Sequence, residues 1–326
     1  MALLEIDNLS IGYHSRRGLV TAVDDVSFAL QRGRSLGLVG ESGCGKTTIG
    51  KALMGLLPPN AAVLEGSIRF DGIQLAGASE ALLRSVRWDR IAMIFQAAMN
   101  ALNPIHTVGA QVIEALHAHK PEMSRTEAAE RVDELFRLVG IPEGRSKDYP
   151  HHYSGGMKQR AVIAMALACS PELIIADEPT TALDVIVQDQ ILKQIRALQD
   201  DLGISILFIS HDISVVSDVC HDIGVMYAGQ IIEYGSRKEV FERPAHPYTR
   251  ALLGAFLSLM QDRGMAEGLP GAPPDLADVP AGCRFCDRCC VSGDNCRVEA
   301  PQWFHLSAKH HVLCCAEGIQ AGRNRS

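Results

Sequence analysis

The sequence contains no long apolar run. Its longest uninterrupted apolar stretch extends from Ala161 to Cys169, far short of the roughly 20 residues that a helix needs to cross a bilayer. The chain starts with Met-Ala-Leu-Leu-Glu, which has neither the basic start nor the apolar segment of a signal peptide. We therefore expect a soluble globular protein in the cytosol or on the cytosolic face of a membrane.

An excess of positive charge is also missing. The 31 Lys and Arg residues stand against 38 Asp and Glu residues, which gives a formal net charge of -7. Proteins that bind nucleic acid through its phosphates usually carry a net positive charge, so we expect no nucleic acid partner. The sequence also shows no internal repeat and no low-complexity tract.

Cysteine is scarce until near the end of the chain. Only Cys44, Cys169 and Cys220 lie in the first 282 residues, whereas seven cysteines lie between Cys283 and Cys315. In a reducing compartment such a density indicates metal ligation before it indicates disulfides. Residues 261–282 are rich in Gly, Pro, Ala and Asp, which is typical of a linker. We therefore expect a small separate cysteine-rich unit over 283–315, with a tail over 316–326.

The remaining pattern predicts an α/β fold with a mostly parallel sheet, because strand and helix patterns alternate. Apolar alternation over 4–11 and 26–30 predicts an antiparallel β part at the N-terminus. The continuous apolar runs over 173–176 and 204–209 predict strands covered on both faces. A capping box from Ser124 to Glu127, followed by apolar residues at helical spacing, predicts a helical lobe over about 97–165.

A glycine-rich loop lies between a short apolar strand and a predicted helix over 47–57. The loop, Gly-Glu-Ser-Gly-Cys-Gly-Lys-Thr, matches the phosphate-binding P-loop in full. Its backbone N–H groups can surround phosphates, Lys46 can reach the β and γ oxygens, and the Thr47 hydroxyl can ligate magnesium. The nucleotide ligands expected here are Gly40, Ser42, Gly43, Cys44, Gly45, Lys46, Thr47 and Thr48. A second apolar strand ends in Asp177 and Glu178, which are expected to serve the magnesium shell and the attacking water.

Six motifs in a fixed order resemble the ATP-binding subunits of ABC transporters. They are Gly40 to Thr47, Gln96, Ser154 to Gln159, Asp177-Glu178, Ala182-Leu183-Asp184 and His211. The resemblance implies an ABC-type ATPase domain over 1–260 that uses ATP and Mg²⁺. A kinase or GTPase would have the P-loop without the Ser-Gly-Gly signature, so the signature excludes both.

The resemblance also implies a role for each motif. Tyr13 occupies the family's position for an aromatic ring that stacks on adenine. Ser154, Gly155 and Gly156 open a helix, and helix N-termini attract anions; in the family they contact the ATP of a partner in a head-to-tail dimer. Three residues are the expected magnesium ligands: Thr47, Gln96 and Asp177. Three are the expected catalytic groups: Glu178 as base, His211 as donor to the γ-phosphate, and Gln96 as sensor of the magnesium and the water.

The segment His246 to Leu253 and the cysteine-rich tail resemble the oligopeptide and dipeptide importer group, which includes nickel and oligosaccharide importers. The resemblance implies uptake of di- or oligopeptides with two permease subunits, a related second ATPase and an extracytoplasmic binding protein, on the cytoplasmic face of the inner membrane. Nickel or oligosaccharide import, an exporter, and a non-transport ATPase acting on nucleic acid stay as alternatives. Two departures from the family pattern are Ala97 to Pro104, where many members have Asp-Pro, and Tyr153, where Leu is commoner.

The same resemblance implies that Cys283, Cys289, Cys296 and Cys314 hold a 4Fe-4S cluster. By spacing alone, the run from Cys283 through Cys286 to Cys289 imitates the start of a ferredoxin motif, but the Cys-Pro that completes this motif is absent. Four thiolates also suit a tetrahedral zinc ion. Cys290 and Cys315 replace the group's usual Pro and His, so the ligating member of each adjacent pair stays open.

Overall fold

The computed structural model describes residues 2–96, 101–181, 183–260 and 269–315. The strands are β1 (Ala2–Ser15), β2 (Gly18–Gln31), β3 (Ser35–Val39), β4 (Ala61–Phe70), β5 (Ile73–Gln74), β6 (Ile91–Ile94), β7 (Leu173–Asp177), β8 (Ser205–Ser210), β9 (Asp222–Tyr227), β10 (Gln230–Ser236), β11 (Gln302–His305) and β12 (His311–Cys314). The helices are α1 (Lys46–Leu53), α2 (Glu80–Val86), α3 (Val108–His119), α4 (Arg125–Leu138), α5 (Gly155–Ala166), α6 (Val185–Leu202), α7 (Ile213–Val219), α8 (Arg237–Glu242), α9 (Pro247–Met260) and α10 (Asn295–Val298).

The chain divides into two compact units. Unit 1 is formed by Gln31–Arg34 and Ala78–Phe208, and unit 2 by Ala2–Leu30, Ser35–Gly77 and the described residues from Ile209 onwards. Among the described helices, none combines the length and apolar character needed to cross a membrane.

Unit 2 contains the expected antiparallel β part, in which neighbouring strands follow the order β2-β1-β4-β5. Leu4, Ile6, Leu9 and Ile11 on β1 are all buried. The step of three between Ile6 and Leu9 breaks the period of two, and a register shift with Asn8 at a φ of 48° accounts for it. An irregularity of this kind returns the apolar side chains to the core face of the strand.

A second run of strands in unit 2 follows the order β11-β12-β10-β9-β3. β3 and β9 are parallel, whereas β9, β10 and β12 pair in antiparallel fashion. The structure therefore does not support the expectation of a separate cysteine-rich unit. Val312 pairs with Glu233 of β10 and packs against Ala245, because an apolar strand gains backbone hydrogen bonds and burial by joining an available sheet edge.

Unit 1 contains the parallel strands β6 and β7 and the helices α2 to α6. The capping box at Ser124 is confirmed, since its side chain accepts a hydrogen bond from Glu127 and the Glu127 carboxylate accepts one from the Ser124 backbone. Apolar residues of α4 that follow at helical spacing are buried. Residues 97–100 of the predicted lobe, 261–268 of the predicted linker and the tail over 316–326 lie outside the described residues, and the predicted domain limits stay predictions.

Candidate nucleotide site

The P-loop backbone requires glycine at two places. Gly40 has a φ of 153°, and a Cβ there would lie 2.1 Å from the carbonyl oxygen of Met226. Gly45 has a φ of 105°, and its Cβ would lie 2.4 Å from the carbonyl oxygen of Ala22. The helix predicted over 47–57 is shorter in the structure. α1 begins at Lys46 and ends at Leu53, before Gly55, whose backbone is left-handed.

Lys46 is held inside this loop. Its side chain is buried, and Nζ donates hydrogen bonds to the carbonyl oxygens of Gly40 at 2.7 Å and Glu41 at 3.0 Å. A cation fixed among backbone carbonyls at the start of a helix is placed to meet an anion. Cys44 is also buried, and burial raises the pKa of its thiol although Lys46 opposes the shift. We therefore treat Cys44 as a neutral part of the loop.

Tyr13 lies next to the first turn of α1. Its Oη is 3.1 Å from Oγ1 of Thr48, and its ring is half-buried. The predicted adenine-stacking ring thus lies in the same unit as the P-loop, and it contacts α1, the helix that follows the loop. The stacking role itself stays a prediction.

In unit 1, the structure brings Gln96 to Glu178. β7 is buried throughout and ends at Asp177, which is 1% exposed. Glu178 follows with a φ of 50°. Its Oε2 accepts hydrogen bonds from Oγ1 of Thr181 at 2.8 Å and from Nε2 of Gln96 at 3.4 Å. Sequence reasoning missed Thr181, although a hydroxyl three residues after an acidic turn residue is a recognisable local partner.

The signature begins a helix, as expected. Ser154 caps α5 by accepting a hydrogen bond from the backbone of Met157 at 3.3 Å, and both Ser154 and Gly155 are exposed. A Cβ on Gly156 would lie 2.8 Å from Val187 of α6, so this glycine allows a close helix approach. The unusual Tyr153 is buried and its hydroxyl donates to the carbonyl of Arg145 at 2.8 Å, while burial raises its pKa to about 12. Tyr153 therefore acts as a packing residue behind the exposed helix start.

His211 belongs to unit 2 and is exposed directly after β8. The following Asp212 caps α7 by accepting a hydrogen bond from Ser214 at 2.8 Å. Asp184 caps α6 in the same manner, through Val187 at 2.9 Å. Ala182 lies outside the described residues.

Several thiols of the cysteine segment lie together. The Cys283 N–H donates to the Cys296 carbonyl at 2.8 Å, and a Cβ on Gly282 would lie 2.4 Å from the same oxygen. Burial raises the pKa of Cys289 to about 11 and that of Cys314 to about 12, and Cys283 and Cys296 add to both shifts. The backbones of Cys283 and Cys296 therefore lie side by side.

The remaining cysteines of the segment differ in their surroundings. Cys290 is exposed. The Cys286 thiol is buried beside Asp287, and Cys315 is half-buried beside Cys296. Across the described ranges, no three His, Cys, Asp or Glu side chains surround one metal position. The described thiols are thus not arranged as a ready site for a zinc ion or for an iron-sulfur cluster.

The fold and these residues define a P-loop ATPase of the ABC type. Residues 23–181 match the family described as ABC transporter, and residues 232–296 match the oligopeptide/dipeptide transporter C-terminal region. The solved ATP-binding cassette MJ0796, a dimer in a post-hydrolysis state with ADP and phosphate, matches with a TM-score of 0.64 and 26% identity over 72% of this chain and 98% of its own. The cbiO1 protein of Clostridium perfringens, part of the transporter complex cbiONQ, matches with a TM-score of 0.65 and 28% identity over 80% of this chain and 96% of its own.

Curated relatives match almost the whole chain. The dipeptide transport ATP-binding protein DppD of Bacillus subtilis is 47% identical over 98% of this chain and 96% of its own length. DppD of Escherichia coli is 43% identical over 99% of both chains. The oligopeptide transport ATP-binding protein OppD of Salmonella typhimurium is 44% identical over 92% of this chain and 89% of its own. The chain therefore belongs to the ATPase subunits of the oligopeptide and dipeptide group of ABC transporters, and it hydrolyses ATP.

Proposed function

We propose that this chain powers the import of di- or oligopeptides. The observation that carries the proposal is the match to dipeptide and oligopeptide transport ATP-binding proteins at 43 to 47% identity along nearly the whole chain. In this proposal the chain lies on the cytoplasmic face of the inner membrane, beneath two permease subunits that receive substrate from an extracytoplasmic binding protein.

The proposed mechanism assigns one task to each residue. The P-loop N–H groups and Lys46 bind the ATP phosphates, and Thr47, Asp177 and Gln96 supply the oxygen ligands that Mg²⁺ prefers. A magnesium ion held by these residues would neutralise charge that develops on the phosphates. Glu178 orients the attacking water, and its contacts with Gln96 and Thr181 support a fixed carboxylate position. His211 donates to the γ-phosphate.

The exposed start of α5 supports a two-ATPase particle. In the proposal, Ser154 and the backbone of Gly155 and Gly156 contact the nucleotide of a partner ATPase, and a related second chain is the expected partner. The acidic net charge of -7 gives no support to a nucleic acid partner.

Purification of the intact complex from the native membrane tests this assembly. We expect this chain to copurify with two permease subunits and a related second ATPase, and to bind ATP in that complex. Mass spectrometry identifies each subunit. Recovery of this chain alone, under conditions in which the membrane subunits stay intact, contradicts the proposal.

We further propose that Cys283, Cys289, Cys296 and Cys314 hold a 4Fe-4S cluster with a structural role. The backbone hydrogen bond from Cys283 to Cys296 and the burial of Cys283, Cys296 and Cys314 support the ligand set, and the half-buried Cys289 is better placed than the exposed Cys290. ATP turnover needs no redox change of the cluster.

Anaerobic purification followed by iron, sulfide and zinc analysis tests the cluster. The parent protein is expected to contain iron and labile sulfide, and Cys296→Ser is expected to lose most of both because it removes a ligand. Cys290→Ser is the matched control and should keep the parental iron content. A colourless parent with one zinc and no sulfide would falsify the cluster, and unchanged iron in Cys296→Ser contradicts the ligand set.

A further inference from the structure

Glu41, the second residue of the P-loop, is held at three points. Its N–H donates to the Tyr248 hydroxyl at 3.0 Å, and its carbonyl accepts from Lys46 Nζ at 3.0 Å. Its carboxylate accepts two hydrogen bonds from Arg288, from Nη1 at 2.7 Å and from Nη2 at 2.8 Å. Arg288 lies 247 residues further along the chain, within the cysteine segment.

Arg288 is itself firmly placed. Its side chain is 6% exposed, and its Nε donates to the carbonyl of Pro270 at 2.8 Å. Nη1 also lies 3.2 Å from the Tyr227 hydroxyl, and the guanidinium lies 5.7 Å from the centre of the Tyr227 ring. Phe285 packs edge-on against Tyr227 and Tyr248, and these rings cover one side of the guanidinium. A bidentate pair with so many supports has little freedom to separate.

The charge of Glu41 creates a problem for a phosphate-binding loop. A carboxylate beside the loop repels an incoming triphosphate unless a cation neutralises it. Lys46 Nζ donates its hydrogen bonds to the backbone carbonyl oxygens of Gly40 and Glu41, inside the loop. The guanidinium of Arg288 is the group that pairs with the Glu41 carboxylate.

The surroundings of this pair extend to the segment before the cysteines. A cavity of about 310 Å³ lies beside the P-loop, between Glu41–Cys44 on one side and Pro273–Leu276 on the other, with Tyr227 and Ala228 completing its wall. Arg288 anchors the same segment through Pro270. The cysteine segment is thus attached to the P-loop itself, and the Arg288 side chain contacts the loop directly.

We propose that Arg288 is a positioning residue for ATP binding, which neutralises and anchors Glu41 so that the P-loop accepts the triphosphate. The inference rests on the proposed assignment of Gly40 to Thr47 as the phosphate site. Arg288 acts through Glu41 and takes no part in the chemical step. Its loss therefore raises KM for ATP and leaves kcat nearly unchanged.

The test compares steady-state ATPase kinetics of full-length variants assembled in the complex. Arg288→Ala is expected to raise KM for ATP about tenfold, because a charged bidentate pair is lost and a carboxylate is left uncompensated. Arg288→Lys keeps the charge without the fork and is expected to raise KM about threefold. Arg297→Ala is the matched control, since Arg297 is 63% exposed and pairs with Asp287 in the same segment; its KM should equal that of the parent.

The double variant Glu41→Gln, Arg288→Ala separates charge from packing. Removal of the repelling carboxylate is expected to return KM to within about twofold of the parent, whereas a purely structural defect would persist in the double variant. If Arg288→Ala does not fold, the uncharged but larger Arg288→Gln replaces it in both comparisons, and the same return of KM is expected. A parental KM in a folded Arg288→Ala, or no recovery in the double variant, overturns the inference.

Lys46→Ala distinguishes failure of this inference from failure of the site. If Lys46→Ala loses ATP binding while Arg288→Ala is unaffected, the phosphate site stands and the role of Arg288 is wrong. If Lys46→Ala also binds ATP normally, the assignment of the site is wrong and the inference falls with it.

Discussion

Gly40→Ala is expected to lower the thermal midpoint of the protein by an amount on the order of 5–10 °C. Two costs combine at this position. The backbone has a φ of 153°, which side chains other than glycine rarely adopt, and the new Cβ would lie 2.1 Å from the Met226 carbonyl oxygen. Backbone strain and overpacking each cost about 1–3 kcal/mol, and a loss of 1 kcal/mol shifts the midpoint of a large domain by about 2–4 °C.

Gly43→Ala is the matched control for this prediction. Gly43 lies in the same loop with a φ of 83°, but a Cβ there meets no atom within 4 Å. It therefore carries the backbone cost without the collision, and its thermal midpoint should fall by clearly less. Calorimetry or circular dichroism of the three proteins gives the comparison. Equal midpoints for the two variants would show that the contact with Met226 is unimportant.

Local features of this fold could be predicted from the sequence. β3, Ser35–Val39, is the short apolar strand predicted before the glycine-rich loop, because such a run has few other possible structures. The capping box at Ser124 was predictable because both of its hydrogen bonds join residues three apart. The P-loop was predictable for the same reason, since its function depends on the spacing of adjacent residues.

Contacts between distant segments could not be predicted in this way. Tyr248 reaches Glu41 across 207 residues and Arg288 reaches it across 247, and no periodicity relates those positions. The pairing of β12 with β10 was missed because the density of cysteines suggested an independent unit. A short strand finds its partner through the shape of the folded sheet, which the local sequence does not encode.

The structure gives a physical role to the segment from His246 to Leu253. Sequence comparison marked it as a group feature without a physical reason. In the structure the buried Glu233 accepts hydrogen bonds from the backbone of Ala245 and His246, both at 2.8 Å. Burial lowers the pKa of His246 to about 4, so its ring stays neutral near pH 7. The motif thus fixes the start of α9, from which Tyr248 contacts the P-loop.

Lys46→Ala is expected to weaken ATP binding by about 100-fold or more. The substitution removes a buried cation that the loop holds by its own carbonyl oxygens, and loss of one member of a close charge pair costs about 2–5 kcal/mol. Lys51→Ala, in the last turn of the same helix, is the control and should bind ATP as the parent does. Glu178→Gln keeps the size of the side chain and leaves the P-loop untouched, so it should bind ATP normally.

The most direct test of the account is to measure ATP binding and ATP turnover side by side in Glu178→Gln. Loss of a general base or water-orienting carboxylate typically slows a reaction about 10²- to 10⁴-fold. We predict parental ATP affinity together with a fall in turnover of at least about 100-fold. Hydrolysis by Glu178→Gln at the parental rate would contradict it.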